Sequence, residues 1–190
     1  MVDNYSEYNA VQFEQSLIRA LESFAPSDYL AAWQSCASRT EFYEKRVFPL
    51  IAEFMGLKHT NELFRVDYML HKDINGIKIP IIAVESENYA DKTHEEMQKL
   101  IALSSPVKAL ITCAPWAESM AINPEGSVKD GILNIWNRYL KTARAEGALH
   151  GMFLFYVAEG GADGITRYYA HHSDKSELID KGMIFSIKVK

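Results

Sequence analysis

Apolar positions recur at helical spacing through the first third of the chain and then switch to a spacing of two. Over residues 9–24, Val11, Phe13, Leu17, Ile18, Leu21 and Phe24 form one stripe, which predicts an amphipathic helix. Pro26-Ser27-Asp28 stops that helix and starts another through Tyr29, Leu30 and Trp33. Ser38-Arg39-Thr40-Glu41 has the form of a capping box. It predicts a third helix with Tyr43, Val47, Leu50, Ile51 and Phe54 on its buried side and Gly56 as its stop.

The period then changes. Phe64, Val66, Tyr68 and Leu70 alternate with Arg65, Asp67, Met69 and His71, which predicts a strand. Asp73-Ile74-Asn75-Gly76 is a turn, and Ile77 to Val84 is a nearly continuous apolar strand ending in Glu85-Ser86-Glu87. Thr93-His94-Glu95-Glu96 reads as a second capping box, opening a helix with Met97, Leu100 and Ile101. Val107 to Cys113 predicts a buried strand reached by a helical crossover. A Pro/Gly loop over 114–126 leads to a long helix from Val128 to Ala145, closed by Gly147. Met152 to Val157 and Ile165 to Ala170 predict strands joined by a hairpin at Gly160-Gly161-Ala162-Asp163-Gly164. Met183 to Val189 adds one more strand. The sum is an α/β domain, a mixed β-sheet flanked by helices.

The length of 190 residues suits one domain with a sizeable core, and no linker divides it. No run is apolar enough for a transmembrane helix and no signal peptide is evident, so no membrane partner is expected. Cys36 and Cys113 have neither metal-ligand spacing nor a disulfide framework, which makes a reducing cytoplasm the expected compartment. The net charge of −5 argues mildly against a bulk nucleic-acid binder. Clustered metal-site acids would give the same total, with a bound cation restoring local positive charge.

The chemistry-bearing residues are acids on apolar strands, where an uncompensated carboxylate is costly. Glu85 and Glu87 alternate onto one face. The turn decides whether Asp67 joins them. A two-residue Asn75-Gly76 turn pairs Ile74 with Ile77 and sends Asp67 and Glu85 to opposite sides. A type I turn with Gly76 as a bulge pairs residue 73 with residue 77 and makes Asp67 and Glu85 diagonal neighbours on one face; the Asp-x-x-Gly pattern favours it. Pro80 disturbs the ladder in either case. Glu44 flanks the buried stripe of the third helix and is a further candidate acid. Each acid also has a plain reading: Asp67 as the partner of Arg65, Glu85 and Glu87 as solvated strand-end residues, Glu44 as a helix-flank charge.

This order resembles the PD-(D/E)XK nuclease superfamily, the restriction-endonuclease-like fold. That family has a helix with an acid, a strand with Asp, a hairpin to a strand bearing Glu-x-Lys, a helix and a further strand. Here Glu44, Asp67, Glu85-Ser86-Glu87, the helix from Thr93 and the strand from Val107 follow in that order. The resemblance covers residues 40–115 as a nuclease-like core, with helices from 1–39 packed on it and 116–190 completing the sheet. It implies metal ligation by Asp67, Glu85 and the Ser86 carbonyl, Mg²⁺ (or Mn²⁺) as cofactor, and hydrolysis of a phosphodiester in DNA or RNA. Glu87 stands where the family has lysine. It can act as a general base or help hold a second cation but supplies no positive charge. Lys92 is the nearest replacement in sequence, while Lys99 is expected to point away from the helix's buried stripe. The alternative is a catalytically inactive member of the fold that binds nucleic acid or protein. A homodimer packed through Phe153–Tyr156 and Tyr168-Tyr169 is a further candidate, against the reading of these aromatics as core.

Overall fold

The computed structural model describes residues 4–117, 128–174 and 177–189. Six α-helices and seven strands are present among them: α1 (Asn4–Glu22), α2 (Pro26–Ala32), α3 (Cys36–Phe42), α4 (Phe48–Met55), β1 (Lys58–Asn61), β2 (Tyr68–Ile74), β3 (Ile77–Glu87), α5 (Thr93–Ile101), β4 (Val107–Cys113), α6 (Val128–Ala145), β5 (Met152–Gly160), β6 (Ile165–Asp174) and β7 (Glu177–Lys188). The strands form one sheet in chain order, β1 to β7. β1–β2–β3 are antiparallel, β3–β4–β5 parallel, and β5–β6–β7 antiparallel again. The protein is therefore an α/β domain with a mixed sheet flanked by helices.

Both faces of the sheet are covered. Phe13, Leu17, Tyr29, Phe48 and Ile51 of α1–α4 pack against Leu70, Ile82, Val84, Ile111, Leu154 and Tyr156. Met97, Leu100, Ile132, Trp136 and Leu140 of α5 and α6 pack against Met69, Ala83, Leu110, Phe153, Phe155 and Val157. Burial on two faces explains why the central strands read as unbroken apolar runs rather than alternating ones. Of the aromatic strand residues, Phe153, Phe155, Tyr156 and Tyr168 are fully buried within the chain as core, while Tyr169 is partly buried. The chain turns into β5 at Gly151, where φ is +76° and a Cβ would stand 2.2 Å from the Pro106 carbonyl oxygen; only glycine fits.

Several boundaries differ from the sequence pattern. α3 opens two residues before Ser38, with Ser35 as the cap: its hydroxyl accepts the Ser38 N–H at 3.0 Å. A π-helical turn over Tyr43–Val47 carries α3 into α4 ahead of Pro49. Thr93 does not cap α5; its hydroxyl donates to the Ala90 carbonyl and accepts the Trp136 indole N–H. β1, which lacks an apolar signature, was not expected at all, and β7 begins earlier than the predicted tail strand. The predicted loop over 114–126 lies largely outside the described residues.

His171 is buried on β6, edge-on to the stacked Trp116 and Trp136 rings. Burial lowers its pKa; Asp180 works against that, while Lys129 and His172 add to it. A histidine whose folded pKa lies below its unfolded value contributes fully above the unfolded value, roughly 6.5, and loses that contribution as pH falls through it. The urea midpoint is therefore expected to fall between about pH 7 and 5 in the wild type and to fall less in His171→Leu. Equal slopes would remove His171 from the account.

Candidate functional site

Asn75 and Gly76 both have positive φ (54° and 80°) and pair Ile74 with Ile77, the pattern of a two-residue type I′ turn. The expected bulged type I turn is not formed: residue 73 pairs with Lys78, not with Ile77. Continued unchanged, this register would put Asp67 and Glu85 on opposite faces. It does not continue. His71 pairs with Pro80 but Leu70 pairs with Ile82, leaving Ile81 as an extra residue. Pro80 has no N–H to give the ladder, which makes this the weak point where a bulge is accommodated. Beyond it Met69 pairs with Ala83 and Tyr68 with Val84. Carried one step past the end of β2, this register sets Asp67 across from Glu85, not across from Ala83 and diagonal to Glu85 as expected.

Asp67 sits just before β2 rather than inside a strand. The predicted strand from Phe64 is replaced by a 3₁₀ turn over Leu63–Arg65. Glu62, Phe64 and Arg65 there all have positive φ (57°, 57° and 63°). Each costs on the order of 1 kcal/mol or more, a local strain of the kind found where a side chain must be aimed. The Asp67 carboxylate accepts the Ser86 amide N–H at 2.8 Å. Ser86 thus meets the aspartate through its backbone donor.

Glu85 follows Ala83 on the face covered by α5 and has no exposed surface. Neither of its carboxylate oxygens has a hydrogen-bond partner. Burial, then the charges of Asp67 and Glu96, push its pKa well above the usual carboxylate range, and Lys99 opposes them. Burial also raises the pKa of Asp67, against the pull of the Ser86 N–H. With all these carboxyls ionised none can donate to another; relief requires a shared proton or a cation.

The cation present is an ammonium. Lys99 Nζ lies 3.6 Å from Glu85 Oε1 and 2.5 Å from Glu96 Oε2. Its own burial works against the charge, but Glu96 and Glu85 outweigh it and raise its pKa. Lys99 leaves α5 on the flank beside Glu96, and its long stem carries the charge back across to β3. Its expected direction, away from the site, is corrected here. Lys92, the replacement nearest in sequence, lies over the Tyr89 ring at 5.4 Å. Glu96 was passed over in the sequence as a capping-box residue; its signal was an acid bordering the buried stripe of Thr93, Met97 and Leu100.

Glu87 and Glu44 are engaged elsewhere. Glu87 accepts the Tyr89 N–H at 2.9 Å in the turn that ends β3. Glu44 accepts from the Asn61 side chain at 2.7 Å, tying the π-helical turn to β1. Among the described residues no three His, Cys, Asp or Glu side chains converge closely enough to hold a metal ion as placed. An open apolar cleft of about 380 Å³ lies between Asn88–Asp91, Cys113–Pro115 and the start of α6.

No family model matches the chain, and no curated protein matches it. Among solved structures, the crystal structure of the central domain of yeast acetyl-CoA carboxylase is similar at 10% identity and a TM-score of 0.38. That match covers 93% of this chain, which spans 34% of that one. No described helix is long and apolar enough to cross a membrane.

Proposed function

We propose that this chain is a magnesium-dependent phosphodiester hydrolase of the PD-(D/E)XK type, acting on DNA or RNA. The supporting observation is Glu85: a fully buried acid with no N–H donor on either oxygen, set beside the carboxyls of Asp67 and Glu96 with an ammonium near it. Such a group fits a cation better than a structural role, because a structural carboxylate would be given donors. Asp67 and Glu85 would hold the ion. When bound, it supplies Lewis-acid polarisation of the phosphoryl oxygen and a water of lowered pKa.

The chain's own residues supply the rest. The Ser86 N–H fixes the Asp67 carboxylate, so one of its oxygens is positioned before any ligand arrives. Lys99 supplies the positive charge that the Glu87 position lacks, and its ammonium reaches Glu85 from α5 instead of from β3. It would stabilise negative charge developing on the phosphate. Glu87, turned into its own loop, supplies no charge to this centre in this arrangement.

A second reading, a non-catalytic binding module of the same fold, draws on the net charge of −5 and on Lys99 being already paired with Glu85 and Glu96. Incubating the purified chain with plasmid DNA, single-stranded DNA and RNA in Mg²⁺ or Mn²⁺ separates the two. Cleavage that EDTA stops supports the hydrolase. No cleavage of any of them, with binding of a nucleic acid or protein intact, supports the module.

A further inference from the structure

The apolar cleft of about 380 Å³ sits where open sheets commonly hold ligands, outside the carboxyl ends of parallel strands. β3 ends at Glu87 and β4 at Cys113; Asn88, Tyr89 and Pro115 beyond them line the cleft together with Ile132 and Ile135 of α6. Tyr89 is the unusual residue there. Its ring is 55% exposed, yet it is held at two points. Its hydroxyl accepts the Cys36 thiol at 3.6 Å, and the Lys92 ammonium stands 5.4 Å from its ring centroid. Arg39 braces this arrangement, donating to the Cys36 sulfur at 3.2 Å and to the Asn88 side chain at 2.8 Å. An aromatic ring fixed before any ligand arrives loses little further freedom when something stacks on it. Asp91 also lines the cleft and offers an acceptor. A flat, apolar-walled space with one carboxylate inside and two cations at its wall and rim suits a flat ring that bears N–H groups and is tethered to anions.

We propose that this cleft takes an unpaired nucleobase of a single-stranded nucleic acid, stacked on Tyr89, with Lys92 and Arg39 attracting the flanking phosphates. Every base has a π-face, so stacking on one aromatic ring binds a strand with little regard to sequence. Asp91 receives a ring N–H or amino group, and the apolar walls cover the rest of the base. A base inside a duplex is already stacked and paired and must first be drawn out, so a single strand is favoured. The inference deepens the phosphodiester reading above by naming the form of the substrate, and rests on it for the choice of a nucleic acid over another flat ligand.

Fluorescence anisotropy of a labelled single-stranded DNA of about ten nucleotides tests this on the full chain, in EDTA so that nothing is cleaved. Tyr89→Ala is expected to weaken binding about tenfold, and Tyr89→Phe to keep it within about twofold. Gly131→Leu fills the same cleft from α6 and should also cost about tenfold. It is expected to fold, since a Cβ at Gly131 meets nothing within 4 Å and leucine suits a helix better than glycine. Lys92→Met should weaken binding and flatten its salt dependence, whereas Tyr89→Ala should leave the salt slope unchanged. Thermal unfolding of each variant checks folding. Tyr89→Ala and Gly131→Leu proteins that bind like the wild type, or a duplex bound as tightly as the single strand, overturn the inference and leave the hydrolase reading intact. Loss of binding in both variants, in a protein that cleaves nothing with Mg²⁺ or Mn²⁺, upholds the inference and removes the hydrolase reading. A mononucleotide that binds as tightly as the strand overturns it in favour of a free nucleotide. No binding of any single strand ends it, and the cleavage assay alone then decides the hydrolase.

Discussion

Glu85→Gln is expected to lose about a thousandfold of Mg²⁺-dependent cleavage and, in the same protein, to raise thermal stability without metal. The two effects share one cause. Lewis-acid stabilisation at such a centre supplies several kcal/mol, and about 4 kcal/mol corresponds to roughly a thousandfold at 1.36 kcal/mol per decade. A neutral amide in place of Glu85 takes that ligand away. It also replaces a buried acid whose ionisation burial and two neighbouring carboxyls oppose, and its NH₂ group is a permanent donor towards them. Ligand linkage gives a second readout: Mn²⁺ at about a hundred times its dissociation constant should stabilise the wild type by roughly 2.7 kcal/mol and Glu85→Gln hardly at all. Asp67→Asn should lose activity similarly while gaining less stability, because Asp67 already accepts the Ser86 N–H. A Glu85→Gln protein that cleaves as fast as the wild type would refute the hydrolase. One that is destabilised would refute the account of Glu85 as an acid set against its neighbours.

That Asp67 and Glu85 share a face was legible in the sequence, as diagonal neighbours; that their register sets them directly opposite, and the route to it, was not. The Asp73–Gly76 pattern favoured a bulged turn, and the chain instead makes the tighter Asn75-Gly76 turn. That choice alone would have separated the acids. The bulge at Ile81 restores their common face, and sequence signalled it only as a disturbance at Pro80. Strand parity can be right by either route, because a turn change and a bulge each shift the register by one. The element order was legible because α1, α4 and α6 have clean stripes and the central strands are apolar on both faces. β1 was not, since Lys58-His59-Thr60-Asn61 has no apolar residue and joins the sheet only by pairing with β2.

Lys99 and Glu96 were missed for a different reason. A helical stripe says which positions are buried, not how far a flanking side chain reaches. Lysine has four carbons of reach, so its charge acts far from where its Cβ points. The burial of Glu85 could not be foreseen either, because it depends on α5 lying over the end of β3. Once that packing is known, the buried acid and the long cation on the covering helix explain each other.

The packing of α5 therefore controls the site, and Trp136 tests it. Trp136→Ala is expected to destabilise the fold by about 3–5 kcal/mol. The indole is fully buried, stacks on Phe155 at 4.4 Å and on Trp116 at 6.0 Å, and meets the His171 ring edge-on. Its N–H donates to the Thr93 hydroxyl at 3.1 Å, which fastens α6 to the first turn of α5. Removing it opens a cavity under both helices and takes the indole donor from Thr93. For a chain of this length the loss corresponds to a fall of roughly 10 °C in Tm. Trp136→Phe keeps most of the stacking and loses the hydrogen bond, so it should cost only about 1–2 kcal/mol. Because α5 carries Glu96 and Lys99, Trp136→Ala should also weaken Mn²⁺ binding. A Trp136→Ala protein within about 1 kcal/mol of the wild type in urea unfolding would show that α5 is held to the sheet by other means. Unchanged Mn²⁺ affinity in a destabilised variant would show that the helix keeps its place over Glu85 without that anchor.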